Sequence, residues 1–372
     1  MSAGEASGDA YAAALLAEIQ NLGSFSFEGV GGEKFSRAGA TIHADSRHWG
    51  AISIVQSLKV YPRILRGYYR AKAQFKRGKP GLFIPIDFGY VNIRLARYAK
   101  RLGWKVLYFV PPGSWRRDRQ GKDLPLITDA IVTPFSWSAE MLNAGGGNAF
   151  WFGHPIKQIL RDRLLVSVAR GSSVAVLPGS RQHEIDENLP VIAKALPADR
   201  IAEFALAPGV DVAEFKKRWS NLAPDRKDIF TVGDTVGPLR RAEFGLICSG
   251  TATLEAALCD CPMVVMYRVS RSMALEAKLI GFKIPKFISL PNILLNRKLV
   301  PEFVHDAATP DAVFSALTTL DLATQRLGFA ELSQMLGPED AISATAGLAV
   351  QLLKEANSEP SPFLKGEARV RV

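Results

Sequence analysis

The stretch Phe244-Gly-Leu-Ile-Cys-Ser-Gly-Thr-Ala-Thr-Leu-Glu255, which runs on to Pro262-Met-Val-Val-Met-Tyr267, predicts the fold class. An apolar run, a turn of small residues, a helical segment and a second apolar run follow one another, as in a parallel α/β sheet. The turn at Ser249, Gly250 and Thr251 would let a ligand approach the backbone, and a helix opening there would direct N–H groups at a diphosphate. Glu255, one helical turn later, is placed to accept hydrogen bonds from ribose hydroxyls. An ordinary strand-to-helix junction with a Ser or Thr cap explains the same residues equally well.

The composition is that of a basic globular chain. Of its 372 residues 48% are hydrophobic and 22% charged, so the chain can fill hydrophobic cores, and its length favours two domains. The formal net charge of +10 favours acidic partners such as nucleic acid, anionic lipid or phosphorylated substrates. The cysteines Cys248, Cys259 and Cys261 show no paired metal-ligand spacing and favour a reducing cytoplasm. No apolar run has the length of a membrane span, and no signal peptide is expected.

Two domains are predicted, for residues 1–156 and 172–345, followed by a mobile tail at residues 357–372. The start of the first domain is unusual, because a glycine-rich turn at residues 1–9 leads into a helix with no strand before it. In a doubly wound sheet such a turn follows a buried strand. The first strand is therefore expected to be missing, either because translation begins upstream of Met1 or because the sheet lacks a central member. The first explanation is favoured.

Residues 47–79 contain nine Lys and Arg residues, interleaved with apolar and aromatic residues, and no Asp or Glu. Their partly helical spacing predicts a basic amphipathic surface for anionic lipid. A solvated helix whose apolar side packs on its own domain explains the pattern equally well. Nucleic acid is disfavoured as a partner because no recognised binding module accompanies the charge.

Asp87 follows the apolar run Leu82-Phe-Ile-Pro-Ile86, which is predicted to be a buried strand. Ligands of open α/β sheets bind at the carboxyl ends of the strands, so Asp87 is a candidate catalytic residue. The alternative is that Asp87 caps the following helix, predicted for residues 92–101. His154, next to Pro155, is interpreted as part of a structural turn.

The second domain begins with the strand and turn Val174-Ala-Val-Leu-Pro-Gly-Ser-Arg181, followed by a helix. Gly179 and Ser180 allow a ligand to approach the backbone, and the planar guanidinium of Arg181 suits a phosphate. Arg181 could equally cap the helix or pair with Glu184.

Taken together, these motifs resemble those of the lipid-A-disaccharide synthase family, glycosyltransferases with two Rossmann-like domains (GT-B). The resemblance covers about residues 3–345 in the order of the family's motifs. The chain departs from the family on the acceptor side, in the segments Phe88-Gly-Tyr-Val-Asn92 and Pro111-Pro-Gly-Ser-Trp-Arg-Arg117. The matching motifs are Ala3-Gly-Glu-Ala-Ser-Gly-Asp9, Gly29-Val-Gly-Gly32, Ile86-Asp87, Pro134-Phe135, Gly153-His-Pro155, Leu177-Pro-Gly-Ser-Arg181 with Glu184, Ser249-Gly-Thr-Ala-Thr-Leu-Glu255, Pro262-Met-Val-Val265 with Tyr267, Ser289-Leu-Pro-Asn292 and Pro301-Glu302.

The resemblance implies an α/β protein with two Rossmann-like domains facing a cleft, and an inverting transfer reaction. UDP-2,3-diacylglucosamine would donate its sugar to 2,3-diacylglucosamine 1-phosphate, giving lipid A disaccharide 1-phosphate and UDP. Asp87 would be the catalytic base, and no metal or other cofactor is implied. The acceptor side would include Ser7, Gly8 and Asp9. The donor would be bound by Gly179, Ser180, Arg181, Ser249, Gly250, Thr251 and Glu255.

The implied partners are the UDP-diacylglucosamine, the acylated sugar phosphate and an anionic membrane surface. The protein would be peripheral on the cytoplasmic face of the inner membrane, as a monomer or a homodimer, without binding nucleic acid. The alternative function is that of a GT-B paralogue that binds a UDP-sugar but uses a different acceptor or has no catalytic activity.

Overall fold

The computed structural model describes residues 1–47, 49, 54–114, 116–117, 121–248, 250–270, 273–274, 281 and 285–358. The chain forms two compact units. The first contains Met1–Ile159 and the segment that begins at Leu336, and the second is Leu160–Met335.

The first unit is built on a sheet that is parallel throughout the described residues. Its strands are β1 (Ser2–Ala3), β2 (Glu28–Gly31), β3 (Thr41–Asp45), β4 (Leu82–Phe83), β5 (Pro85–Ile86), β6 (Lys105–Phe109), β7 (Ala130–Thr133) and β8 (Ala149–Trp151). They lie in the order β3-β2-β1-β5-β6-β7-β8, and β4 pairs with β6. Only Ile84 separates β4 from β5, so the two are parts of one interrupted strand.

The middle of this sheet includes a strand of only two residues, β1. β1 lies between β2 and β5, where Ser2 pairs with Val30 on one side and with Pro85 on the other. This is the place at which a strand was expected to be missing. It is filled by two residues, whose side chains are buried.

The second unit is built on a second parallel sheet. Its strands are β9 (Val174–Leu177), β10 (Ala202–Leu206), β11 (Ile229–Val232), β12 (Phe244–Cys248), β13 (Met263–Tyr267) and β14 (Glu302–Val304). Their order is β11-β10-β9-β12-β13-β14. β9, β10 and β12 are buried along their whole length, which explains why β9 and β12 are continuous apolar runs in the sequence, whereas β10 includes the buried Glu203.

Helices cover both faces of the first sheet. The α-helices in the described part of the chain are α1 (Ala6–Asn21), α2 (Glu33–Arg37), α3 (Ile54–Arg77), α4 (Gly89–Arg101), α5 (Leu124–Ile127), α6 (Ser136–Ala144), α7 (Pro155–Leu165), α8 (Gln182–Ala195), α9 (Val212–Leu222), α10 (Val236–Arg241), α11 (Ala252–Leu258), α12 (Leu290–Leu295), α13 (Pro310–Thr318), α14 (Leu322–Met335) and α15 (Ala341–Ser358). Leu15 of α1 and Ala346 of α15 pack with Leu107 of β6 in one core cluster. Phe75 of α3 and Leu95 of α4 belong to the cluster on the other face.

Helix α15 follows the second unit in the sequence but belongs to the first. Residues 336–345 therefore lie in the first unit, whereas the predicted second domain extended to residue 345. Of the predicted mobile tail, only Asn357 and Ser358 are described, and they end α15. The rest of the tail lies outside the described residues. Within the described part of the chain, no helix is both long and apolar enough to cross a bilayer.

The strand order of each sheet has one topological switch point, between β1 and β5 in the first unit and between β9 and β12 in the second. Doubly wound sheets bind ligands outside the carboxyl ends of the strands at such a point. Asp87 directly follows β5. Pro178 directly follows β9, and Gly250 comes two residues after β12. The topology therefore places the candidate residues of each unit at its switch point.

Candidate active site

Asp87 lies in a turn whose backbone is constrained. Asp87 and Phe88 both adopt the left-handed conformation, with φ of 46° and 45°. Residues other than glycine rarely adopt this conformation, so surrounding contacts must hold the turn. The Asp87 N–H donates to the Phe109 carbonyl at 3.2 Å, and the Asp87 carbonyl accepts from the Tyr108 hydroxyl at 2.9 Å.

Asn92 is the residue that joins this turn to the neighbouring strand. Its Nδ2 donates to the carbonyls of Ser2, Ile86 and Asp87 at 2.9, 2.9 and 3.0 Å. Its Oδ1 accepts from the Ser2 hydroxyl at 2.6 Å, and the side chain is fully buried. From the sequence, Asn92 is predicted only as the first residue of a helix. Its one signal was its position in the first helical turn after a strand.

The carboxyl group of Asp87 is electrostatically perturbed. Burial raises its pKa from the ordinary value of 3.8 to about 6, and the negative charge of Glu5 adds to this increase. A hydrogen bond from the Phe88 N–H acts in the opposite direction. Among the described residues, no cation contributes to the shift. A carboxylate with this pKa is mostly ionised at neutral pH yet basic enough to accept a proton, as general base catalysis requires.

Phe88 is held by aromatic and glycine contacts. Its ring lies over Gly4, where an added Cβ would be 2.1 Å from the nearest ring atom. The ring centroid of Trp49 is 5.9 Å from that of Phe88. Gly4 is therefore the residue that lets the Asp87 turn approach the start of α1.

The first turn of α1 lies against the same switch point. A Cβ added to Gly8 would be 3.5 Å from the Ala3 Cβ and 3.8 Å from the Ile86 carbonyl oxygen, which are ordinary contact distances. Ser7, next to it, is partly exposed. Both predicted acceptor-side residues thus lie near the strand that leads to Asp87.

Asp9, the third predicted acceptor-side residue, has a structural role. Its carboxylate accepts the N–H groups of Gly32, Lys34 and Phe35 at 2.6, 2.9 and 3.3 Å. These groups belong to the start of α2, so Asp9 caps that helix from a distant part of the sequence. Both carboxylate oxygens are engaged in this cap.

His154 has the structural role that the sequence suggested. Its ring is buried, and Nδ1 accepts the Ile156 N–H at 3.2 Å. Burial lowers the pKa of His154 to about 3, so the ring is neutral over the physiological range.

In the second unit, Glu184 fills the turn that follows β9. Its Oε2 accepts the N–H groups of Ser180 and Arg181 at 3.0 and 3.1 Å, and its Oε1 accepts from the Arg181 guanidinium at 2.9 Å. Glu184 is buried, and an added Cβ at Gly179, where φ is 126°, would be 2.8 Å from the Glu184 Cβ. The turn predicted to cradle a phosphate therefore binds a carboxylate of its own helix. This is the alternative that the sequence left open for Arg181.

The turn after β12 lies beside this first turn. The position of an added Gly179 Cβ is 3.6 Å from the Cys248 Sγ, and Asn188 donates to the same sulfur at 3.5 Å. Gly250 has a φ of 129°, and no atom of the described residues lies within 4 Å of an added Cβ. Thr251 precedes α11, which has seven residues. Ser249 lies outside the described residues.

Glu255 lies in the first turn of α11 and is partly exposed. Its carboxylate accepts a hydrogen bond from the Thr235 hydroxyl. The pair presents a carboxylate and a hydroxyl together, a combination that can bind sugar hydroxyls. Within the described residues, no group of three or more His, Cys, Asp or Glu side chains could hold a metal ion.

The motif Ser289-Leu-Pro-Asn292 forms the start of α12 and is bound by Glu302 of β14. The Glu302 carboxylate accepts the Ser289 N–H and hydroxyl at 2.8 and 2.5 Å and the Asn292 Nδ2 at 2.8 Å. The Leu290 N–H in turn donates to the Thr253 hydroxyl at 3.2 Å. These bonds hold the start of α12 against α11, where the Thr253 hydroxyl donates to the Gly250 carbonyl.

The sequence of this chain is similar to that of known proteins along most of its length. A family model described as lipid-A-disaccharide synthetase matches residues 1–334. The lipid-A-disaccharide synthase of Myxococcus xanthus is 31% identical over 94% of this chain and 96% of that protein. The lipid-A-disaccharide synthase of Neisseria gonorrhoeae is 31% identical over 85% of each.

Solved structures show the same fold at low sequence identity. The UDP complex of Staphylococcus aureus MnaA has a TM-score of 0.64 at 11% identity, covering 96% of this chain and 97% of that one. Acinetobacter baumannii MurG has a TM-score of 0.54 at 14% identity, covering 92% and 95%. Two parallel Rossmann-like sheets of this kind define the GT-B fold. Together with the sequence matches, they show that the chain belongs to the lipid-A-disaccharide synthetase family of glycosyltransferases.

Proposed function

We propose that this protein transfers the diacylglucosamine of UDP-2,3-diacylglucosamine to 2,3-diacylglucosamine 1-phosphate, forming lipid A disaccharide 1-phosphate and releasing UDP. Family membership supports the reaction. The observation that carries the mechanism is the carboxylate of Asp87, which lies at the switch point of the first sheet with its pKa raised to about 6.

Asp87 acts as the general base. It removes the proton of the acceptor hydroxyl as that oxygen attacks the anomeric carbon of the donor, and the UDP leaves from the opposite face with inversion. Asn92 and Tyr108 both donate hydrogen bonds to the Asp87 carbonyl and in this way keep the turn in its left-handed conformation. Ser7 and Gly8 line the acceptor side, in the unit that contains Met1–Ile159.

The donor is bound by the second unit, Leu160–Met335. Gly250 and Thr251 provide the site for the diphosphate, and Arg181 provides the nearby positive charge. Glu255, with Thr235, binds the ribose. Glu184 accepts the N–H groups of Ser180 and Arg181 and lies against Gly179, so these three residues shape the site.

The protein attaches to the anionic cytoplasmic face of the membrane, where its acylated substrates reside. Helix α3 supports this attachment. Its apolar side is used in the core, where Ile64, Ala71 and Phe75 are buried. Tyr61 and Tyr69 are nevertheless exposed by 42% and 58%, among exposed Lys and Arg residues. Exposed aromatic and basic residues on one helix suit a membrane interface.

A transfer assay in mixed detergent micelles tests the reaction. The wild-type protein should convert the two substrates to the disaccharide phosphate and UDP. Asp87→Asn should lose about 10²- to 10⁴-fold in kcat, because loss of a general base costs this much, with little change in the KM of the donor. The exposed Asp162→Asn is the matched control and should retain full activity.

Wild-type turnover by Asp87→Asn would exclude Asp87 as the base. Binding of the UDP-sugar without transfer to the lipid phosphate, in the wild-type protein, would instead favour a paralogue with another acceptor.

A further inference from the structure

A basic pocket lies between α3 and α4, on the first unit. It has a volume of about 230 Å³. Its α3 residues are spaced four apart and its α4 residues lie at i, i+3, i+4 and i+7, so each helix contributes one face. The lining residues are Tyr68, Lys72, Arg94, Arg97, Tyr98 and Arg101.

The charges of this pocket are largely uncompensated. Arg97 pairs with Asp123 at 2.7 Å, and both side chains are substantially exposed. Among the described residues, Lys72, Arg94 and Arg101 have no carboxylate within the 4 Å of an ion pair. Of the four cations, Arg97 alone thus has an ion-pair partner among the described residues. Like charges held together repel one another, so an anion bound among them would relieve an unfavourable arrangement.

Two tyrosine rings orient the central cation. The Lys72 Nζ lies 4.4 Å from the ring centroid of Tyr98 and 5.9 Å from that of Tyr68. Both distances are within the range of cation–π attraction. The ammonium group is therefore held over the pocket, which reduces the entropy lost when it binds an anion.

We propose that this pocket binds the phosphate monoester headgroup of an anionic phospholipid. The proposal rests on the proposed membrane attachment and adds a headgroup site to it. The pocket is large enough to accommodate a phosphate group, and Arg and Lys are the side chains that bind phosphate best. Membrane lipid is the favoured source because α3 also carries the exposed Tyr61 and Tyr69, whose rings suit the interfacial region of a bilayer.

The full-length protein should be tested with phosphatidylcholine vesicles that contain either phosphatidic acid or phosphatidylglycerol, matched for surface charge. Wild-type protein should prefer phosphatidic acid, because a phosphate monoester has three oxygens free for several cations and a diester has two. The double variant Lys72→Gln/Arg101→Gln should lose this preference. The control Arg63→Gln/Arg66→Gln removes the same charge from exposed α3 positions outside the pocket. It should weaken binding to both vesicles alike, by about fivefold per charge, and keep the preference.

Two further experiments test whether the pocket binds free phosphate or the substrate phosphate instead of a membrane lipid. Inorganic phosphate should compete only weakly with phosphatidic acid vesicles for binding to the protein, when compared with sulfate at equal ionic strength. Effective competition would show that the pocket is a site for free phosphate and would overturn the proposal. Both double variants should retain wild-type kcat and acceptor KM in detergent micelles. A raised acceptor KM in the pocket variant alone would assign the pocket to the substrate and overturn the proposal.

The proposal would also be overturned if the wild-type protein bound phosphatidic acid and phosphatidylglycerol vesicles equally well. Loss of the preference for phosphatidic acid in the control variant would have the same consequence. Transfer activity of the wild-type protein in micelles is measured separately, so failure of the proposed reaction cannot be confused with failure of the lipid site. Thermal melting of each variant establishes that all are folded.

Discussion

The two switch points have the same topology but use their carboxylates in opposite ways. Asp87, at the first, lies in a left-handed turn, and burial raises its pKa. Glu184, at the second, accepts two main-chain N–H groups and pairs with Arg181 at 2.9 Å. Among the described residues, the Asp87 carboxylate has no cation beside it, whereas the Glu184 carboxylate is hydrogen-bonded and paired with Arg181.

This difference shows that topology selects the place but side chains select the chemistry. An ionised carboxylate without a cation opposes folding, whereas one with two N–H donors and a guanidinium stabilises it. The first arrangement is suited to proton transfer and the second to fixing a loop. We therefore expect substitutions at the two carboxylates to change stability in opposite directions.

Glu184→Ala is expected to have the largest effect on stability. It leaves the N–H groups of Ser180 and Arg181 without their acceptor and the Arg181 guanidinium without its partner, which should cost about 4 kcal/mol of unfolding free energy. Chemical denaturation measures this loss. Glu187→Ala, on the same helix, is the control and should change stability by about 0.5 kcal/mol or less. Equal effects of the two variants would show that Glu184 does not hold the turn.

Gly4→Ala tests the packing of the first switch point. The added methyl group would overlap the Phe88 ring, at 2.1 Å, and should cost about 3 kcal/mol as well as displacing Asp87. Gly8→Ala is the matched control, since its Cβ would meet nothing closer than 3.5 Å. Thermal melting should separate the two variants clearly. If Gly4→Ala melts like Gly8→Ala, the Phe88 ring does not require the glycine.

The architecture could be predicted from the sequence because buried parallel strands are short apolar runs followed by turns of small residues. The runs that became β9 and β12 are recognisable in this way, and so is Asp87 as a residue at a strand end. The place of α15 could not be predicted. Its apolar spacing would suit packing on either sheet, and only the three-dimensional structure shows that Ile342 and Ala346 pack in the first unit.

The details of the site were inaccessible for a related reason. Asn92 and Glu302 act on main-chain groups that are distant in sequence, and such bonds leave no periodic pattern. The pKa shift of Asp87 depends on its burial and on Glu5, which the fold brings to the same switch point. The sequence allowed Arg181 to bind a phosphate, to cap the helix or to pair with Glu184. In the structure the Arg181 guanidinium donates to the Glu184 carboxylate.

Asp87→Asn should stabilise the protein, in contrast to Glu184→Ala. Because the pKa of Asp87 is higher in the folded than in the unfolded state, its protonated form favours folding, and this stability is lost as the pH rises from about 4 to about 6. The asparagine variant does not ionise, so above about pH 7 it should be more stable than the wild type by about 3 kcal/mol. Below pH 4 the two should melt alike. A stability difference independent of pH would contradict the raised pKa.

Glu5→Gln is expected to have the smallest effect, on the pH dependence of catalysis. The wild-type kcat/KM should fall as the pH drops below about 6, because Asp87 must be ionised to accept a proton. Removing the negative charge of Glu5 favours the ionised form of Asp87, so this acid limb should move to lower pH by roughly half a unit. The control is Glu18→Gln, also on α1, because Glu18 does not contribute to the pKa shift of Asp87. This variant should leave the acid limb in place. An unmoved limb in Glu5→Gln, with activity retained, would show that burial alone sets the pKa of the first switch point. The contrast with Glu184 would then arise from desolvation rather than from neighbouring charge.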